Sequence, residues 1–335
     1  MKQVLPLLCL TSLVFGNAAE EIVDFPQEFV LDSEPSQEVA VLDLSSIAQQ
    51  TPFSDLAQIP APNFELPRKS VAMAVTLSSL LPGLGHTYLG DMGTAGALMG
   101  TTSLGIGMVA WKPTEESVVV PSMLAIQNVW SYGIYAAYRD ARIYNGQAGY
   151  SYKMPTDSLA ALAYAPFNYK ILKKPEVWGG LLASLGLAAT ISYFAYPKES
   201  TAHAHMKISP KSELPFFALP VGIGEESLFR GYLQSQLMEK FKPTGAIILS
   251  SLSFGAAHLG NGLLMDREDR WRYYAFSLPF ITVMGGYLGW LTHKNHSLQE
   301  SVALHTLYDL VIFTAGAFAT QAAIGQSEFA LAIPF

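Results

Sequence analysis

Seven or eight apolar segments of helix length follow one another along the chain, at roughly 70–89, 94–111, 118–138, 178–196, 214–236, 244–263, 273–292 and 301–324. A membrane helix needs about 20 mostly apolar residues at 1.5 Å each. A water-soluble helical core can hide one such segment, but not a succession of them. Only 14% of the 335 residues are charged, against roughly 25% in soluble domains, too few to solvate a globule of this size. The expected fold class is therefore all-α: a polytopic, multi-pass membrane helical bundle with about 7–8 transmembrane segments. The first segment is broken by LLPGLG at Leu80–Gly85 and reads either as a kinked span or as a hairpin that turns back.

Residues 1–19 have one lysine, an apolar run from Val4 to Phe15 and then small residues, the layout of a signal peptide. Residues 20–67 follow as an acidic, proline-containing extracytoplasmic arm with ten Asp and Glu and no Lys or Arg. The remainder divides into an N-terminal membrane module at 68–145, a basic cytoplasmic loop or interfacial helix at 146–177, and a second membrane domain at 178–335. If the chain starts outside and crosses eight times, the loop 139–177 with its six lysines and arginines lies in the cytoplasm, as the positive-inside rule prefers, but the loops as a whole count nine basic residues on each side, and every later loop changes sides if 70–89 does not cross. The expected location is a bacterial inner membrane, in contact with lipid. The formal charge of -7 argues against nucleic acid as a partner. The single cysteine, Cys9, excludes disulfides and thiolate metal sites. Nothing in the sequence sets an oligomeric state.

The informative residues are ionisable groups forced to membrane depth by their apolar context, which are costly there and mark functional or paired sites. Glu225, Glu226 and Arg230 lie in one such segment, His258 in a second, and His305 and Asp309 in a third. Glu226 and Arg230 are four apart and share a helix face, so they can form a charge-assisted pair. Glu225 points about 100° away and is left to act on protons. Phe254 shares a face with His258, and Asp309 shares one with His305, so it can accept a hydrogen bond from that ring and fix its tautomer, or reach the same site.

One glutamate and two histidines from three helices can do two related things. Glu225, His258 and His305 can hold a divalent metal such as zinc, with Glu225 as ligand or as base to bound water. Alternatively, Glu225 can deprotonate water directly while the histidines bind the developing oxyanion, without metal. Either site hydrolyses a carbonyl compound, most naturally a peptide bond. An ion- or proton-coupled transporter and a non-catalytic membrane scaffold remain open on these residues alone. No clear internal repeat of the kind that many transporters carry is visible.

The constellation resembles the CPBP intramembrane proteases, the CAAX-prenyl-protease-2 and bacteriocin-processing (Abi-like) group. EESLFR at Glu225–Arg230 looks like their EExxxR signature, Phe254-Gly-Ala-Ala-His258 like FxxxH, and His305-Thr-Leu-Tyr-Asp309 like the late HxxxN or HxxxD element. The resemblance covers roughly 214–322. It implies an intramembrane peptidase in which Glu225 activates water, alone or with a metal, assisted by His258. His305 and Asp309 would hold the water or stabilise the oxyanion, with Glu226 and Arg230 in support. Asp309 stands where many relatives carry Asn, and a carboxylate is a poorer oxyanion donor than an amide. The substrate implied is a membrane-associated or lipid-modified protein or peptide. Some relatives act in bacteriocin maturation or immunity, so a catalytically silent scaffold or an immunity-like protein is the alternative that the resemblance leaves open.

The run SSLLPGLGHTYLGDMGTAG at Ser78–Gly96 looks like a PGxGxxYxG-type turn of small bacterial membrane domains of unassigned type. Its His86 is read as structural and is not placed in the site.

Overall fold

In the computed structural model, residues 67–196, 214–263 and 265–324 are described. Every regular element among them is helical. The signal peptide and almost all of the acidic arm expected from the sequence lie outside these residues.

The broken first segment is two short helices, α1 (Val71–Leu80) and α2 (Leu84–Leu89). Gly83 opens α2 with φ of 97°, a left-handed conformation that glycine adopts without steric cost. It turns α2 back so closely onto α1 that a Cβ on Gly85 would overlap the carbonyl of Ala74. At 10 residues α1 is only about 15 Å long, half a hydrocarbon core. Of the two sequence alternatives, the hairpin is the one observed. His86 of α2 is buried, 3.3 Å from Asp140.

Two long helices follow, α3 (Met92–Trp111) and α4 (Glu116–Tyr144). A connecting strap at 145–158 leads through the short helices α5 (Leu159–Tyr164) and α6 (Tyr169–Leu172) to α7 (Pro175–Ala195). The second half holds α8 (Leu214–Glu226), a π-helical stretch at Ser227–Leu233 and α9 (Gln234–Met238), which together form one continuous rod. Next come α10 (Pro243–Ala257), α11 (Leu259–Leu263), α12 (Arg267–Arg272), a second π-helical stretch at Tyr273–Ser277, α13 (Leu278–Asn295) and α14 (Gln299–Ile324).

The protein is thus an all-α, polytopic membrane protein. Pro175–Ala195, Pro243–Leu263 and Arg267–Asn295 are each long and apolar enough to cross a bilayer. Large side chains such as Leu182, Phe194, Leu252 and Val283 face outward from these helices, as expected where the solvent is lipid.

Packing places α8 against α14 on one side and against α4 on the other, while α10 lies on α13. The α4 crossing is made possible by two glycines one heptad apart. A Cβ on Gly224 would sit 2.8 Å from the Cα of Asn128, and one on Gly231 would run into the ring of Tyr135. Gly224→Ala is therefore expected to destabilise the protein by about 1–3 kcal/mol through overpacking, measured as a lower melting temperature in detergent.

Glu239, just beyond α9, accepts hydrogen bonds from the Ser151 amide (2.9 Å), the Ser151 hydroxyl (2.8 Å) and the Tyr152 amide (3.0 Å). Burial works to raise its pKa, but these donors and Arg142 outweigh it, so the carboxyl is held below its ordinary value of 4.5. A depressed pKa stabilises the fold above the unfolded value, and that contribution is lost as pH falls through the folded one. Wild type should accordingly lose melting temperature on acidification below about pH 4.5 more steeply than Glu239→Gln.

Candidate active site

Glu225 and Glu226 end the regular part of α8, and the π-helical stretch begins with the next residue. Such π segments occur frequently at functional sites. Here the widened turn carries Arg230, whose Nη1 donates to Glu226 Oε1 at 2.9 Å, while its Nη2 donates to the Gly285 carbonyl of α13 at 3.0 Å. Both members of the pair are fully buried, with side-chain exposure of 0%. Glu225, by contrast, is 17% exposed. The two adjacent carboxylates therefore face different surroundings, as the 100° step between them leads one to expect.

His258 caps the C-terminus of α10. Its Nδ1 lies 2.8 Å from the Phe254 carbonyl. A carbonyl only accepts, so Nδ1 bears a proton, and in the neutral form of the ring the lone pair is on Nε2. That lone pair faces Glu225 Oε2 at 4.0 Å. The Phe254 ring forms the apolar floor of the site, 4.2 Å from the Arg230 guanidinium carbon and 4.7 Å from the His258 ring centre. The peptide carbonyl of His258 is in turn held by the Tyr273 hydroxyl at 2.9 Å.

His305 lies two turns into α14 and is buried. Its Nδ1 is 2.8 Å from Glu226 Oε1, and its Nε2 is 3.8 Å from Glu225 Oε2 and 3.5 Å from Asp309 Oδ2. Glu226 from the neighbouring helix takes Nδ1, and Asp309 stands on the Nε2 side with Glu225, reaching the same site.

Glu225, His258, His305 and Asp309 thus converge from three helices, with Glu226, Arg230 and Phe254 behind them. Chemically, the arrangement is a carboxylate oxygen between two imidazole nitrogens, partly open to the outside. The spacing is wider than a tetrahedral zinc site requires. Ligand atoms on a tetrahedral zinc with bonds of about 2.0–2.1 Å lie about 3.3 Å apart, whereas the Glu225–His258 and Glu225–His305 distances are 4.0 and 3.8 Å. Among the described residues, no group of three or more His, Cys, Asp or Glu side chains is placed to hold a metal ion.

Two contributors escaped the sequence reading. Tyr273 lies in a π-helical stretch that no periodicity announces, and the Gly285 carbonyl is a main-chain acceptor without a side-chain signature. The one clue to Gly285 is the small-residue run MGGYLG at 284–289, of the kind that lets membrane helices approach closely.

Comparison with a family model locates a similarity in the same half of the chain. Residues 209–311 match the family model described as type II CAAX prenyl endopeptidase, Rce1-like. An 84-residue stretch, 25% of this chain, is 33% identical to an uncharacterized protein of Methanocaldococcus jannaschii, of whose length the match spans 63%. No solved structure matches the chain.

Proposed function

We propose, from the premise that residues 209–311 are a CAAX-type (Rce1-like) protease domain, that this multi-pass membrane protein is an intramembrane endopeptidase working by glutamate-activated water. The observation that supports the reading most strongly is the pair of opposed acceptors, Glu225 Oε2 and His258 Nε2, 4.0 Å apart. Two acceptors repel unless a donor lies between them. A water at ordinary hydrogen-bond distance from both subtends roughly a right angle, close to what its two O–H bonds can serve.

Such a water gives one hydrogen to Glu225 and one to His258, and its oxygen lone pair is left for the carbonyl carbon of a peptide. In the reaction the water oxygen bonds to that carbon while Glu225 takes the proton. The tetrahedral oxyanion is stabilised by His305 as an imidazolium, whose Nδ1–H donates to Glu226 and whose Nε2–H is left for the oxyanion. Collapse breaks the C–N bond, and the proton held by Glu225 passes to the leaving amine. Glu226 holds His305 in orientation and is itself held by Arg230. Asp309 takes the place of an amide in this reading, which leaves oxyanion donation to His305. The substrate class is a membrane-associated or lipid-modified peptide, reaching the site from within a cytoplasmic-type membrane.

The reading is tested with purified protein in proteoliposomes, given membrane-anchored and lipidated peptides, with products identified by mass spectrometry. Recovery of both new termini from one scissile bond supports it, and intact peptides throughout count against it. A chelator such as 1,10-phenanthroline is expected to leave the rate within about twofold, whereas loss of activity restored by zinc would replace the metal-free route with a metal-assisted one.

A further inference from the structure

The protease family match starts at residue 209 and gives the described residues before it, 67–196, no part in the reaction. Yet the strap after α4 grips both helices that carry the opposing catalytic groups. At one end, Ser151 and Tyr152 donate three hydrogen bonds to Glu239, at the foot of the rod that carries Glu225. At the other, Asp157 accepts from the Ser297 hydroxyl (3.0 Å), the Leu298 amide (2.8 Å) and the Gln299 side-chain amide (2.8 Å), at the first turn of α14.

The strap is itself anchored on α4. Arg139 donates to the Asp157 carbonyl at 2.6 Å, and buried Arg142 donates to the Tyr152 carbonyl at 2.8 Å. Helix α4 packs closely on Gly224 and Gly231, which bracket Glu225 and Arg230 in sequence. One continuous stretch of the N-terminal module therefore spans the two sides of the site.

Capping alone does not account for Asp157. Ser297 already accepts from the Gln299 amide at 3.1 Å, the usual local device for starting a helix. What Asp157 adds is a charge-assisted link from the start of α14 to an element 141 residues earlier. His305 lies seven residues beyond Leu298, about 10 Å along a rigid helix. A sliding or rotation of α14 at its first turn is carried to His305 nearly undiminished. A displacement of about 1 Å in a reacting group can cost roughly 100-fold in rate.

We infer that Asp157 is a positioning residue of the peptidase, and that the strap it anchors makes the N-terminal membrane module part of the catalytic unit by setting the spacing between Glu225 and His305. The inference rests on the peptidase reading.

The test uses the full-length protein in proteoliposomes. Asp157→Ala is expected to lower kcat by about 10- to 100-fold with KM within twofold, while Asp157→Asn, which keeps one acceptor oxygen, falls between it and wild type. Thr156→Ala, exposed on the same strap, should match wild type. Spin labels at Lys240→Cys and Val311→Cys, with Cys9 replaced, report the spacing of the two helices, and their distance distribution should broaden or shift in Asp157→Ala. Wild-type kcat and an unchanged distribution in Asp157→Ala overturn the inference. Should that variant not fold, kcat and distances in Asp157→Asn decide in the same way. Glu225→Gln is assayed alongside. If it cleaves like wild type, the peptidase reading fails. If it is silent while the Asp157 variants cleave at the wild-type kcat, that reading stands and the positioning role falls.

Discussion

Glu225→Gln is expected to lower kcat by about 1,000-fold or more while leaving the melting temperature within a degree or two of wild type. The amide has the size and shape of the carboxylate, so packing is preserved, but it cannot accept a proton from water. General-base catalysis by a placed side chain is worth roughly 100- to 10,000-fold, and losing the group that both orients and deprotonates the nucleophile belongs toward the upper end. Stability should be spared because Glu225 is partly exposed and its histidine neighbours stand at 3.8 and 4.0 Å, beyond direct hydrogen bonding. KM should change little, since Glu225 acts on the water rather than on the peptide. A Glu225→Gln enzyme with even a tenth of wild-type kcat would remove Glu225 from the role of base.

The second large effect is on folding. Arg230→Met deletes the guanidinium that pairs with Glu226 at 2.9 Å and holds the Gly285 carbonyl at 3.0 Å. Methionine fills much of the volume but leaves a fully buried carboxylate without its guanidinium, the His305 ring still against it. Breaking a buried pair from one side typically costs about 3–5 kcal/mol, whereas removing both charges together can be close to neutral. The single variant should therefore be severely destabilised, and Glu226→Leu combined with Arg230→Met should recover much of that loss. The recovered double variant should still be catalytically poor, because His305 loses the acceptor that orients its Nδ1. Thermal unfolding of the four proteins in one detergent measures the coupling. Additive losses would show that Glu226 and Arg230 do not act as a pair.

The membrane class was legible from the length and number of the apolar segments, and the pairing of Glu226 with Arg230 from the period of a single helix. The separation of Glu225 from Glu226 was legible for the same reason. What escaped depends on neighbours. Whether Glu226 or Asp309 orients His305 is decided by the crossing of α8 and α14, which no single-helix period contains. The π-helical turn at Ser227–Leu233 changes the local period without any proline or glycine pair to announce it. LLPGLG read equally well as a kink or a hairpin, and only the packing of Gly85 on Ala74 distinguishes the two. The strap carries its function in Asp157, an ordinary loop acid until its partners at 297–299 are seen.

Catalysis as derived requires one water held between Glu225 and His258, with His305 facing the position where the oxyanion forms. An experimental density map of the protein in a lipid nanodisc, at a resolution where ordered waters are visible, tests it directly. The expected result is a water peak within about 3.2 Å of both Glu225 Oε2 and His258 Nε2, with His305 Nε2 facing it. Continuous apolar packing between Glu225 and the two histidines, or a Glu225 side chain turned out toward lipid, would contradict it.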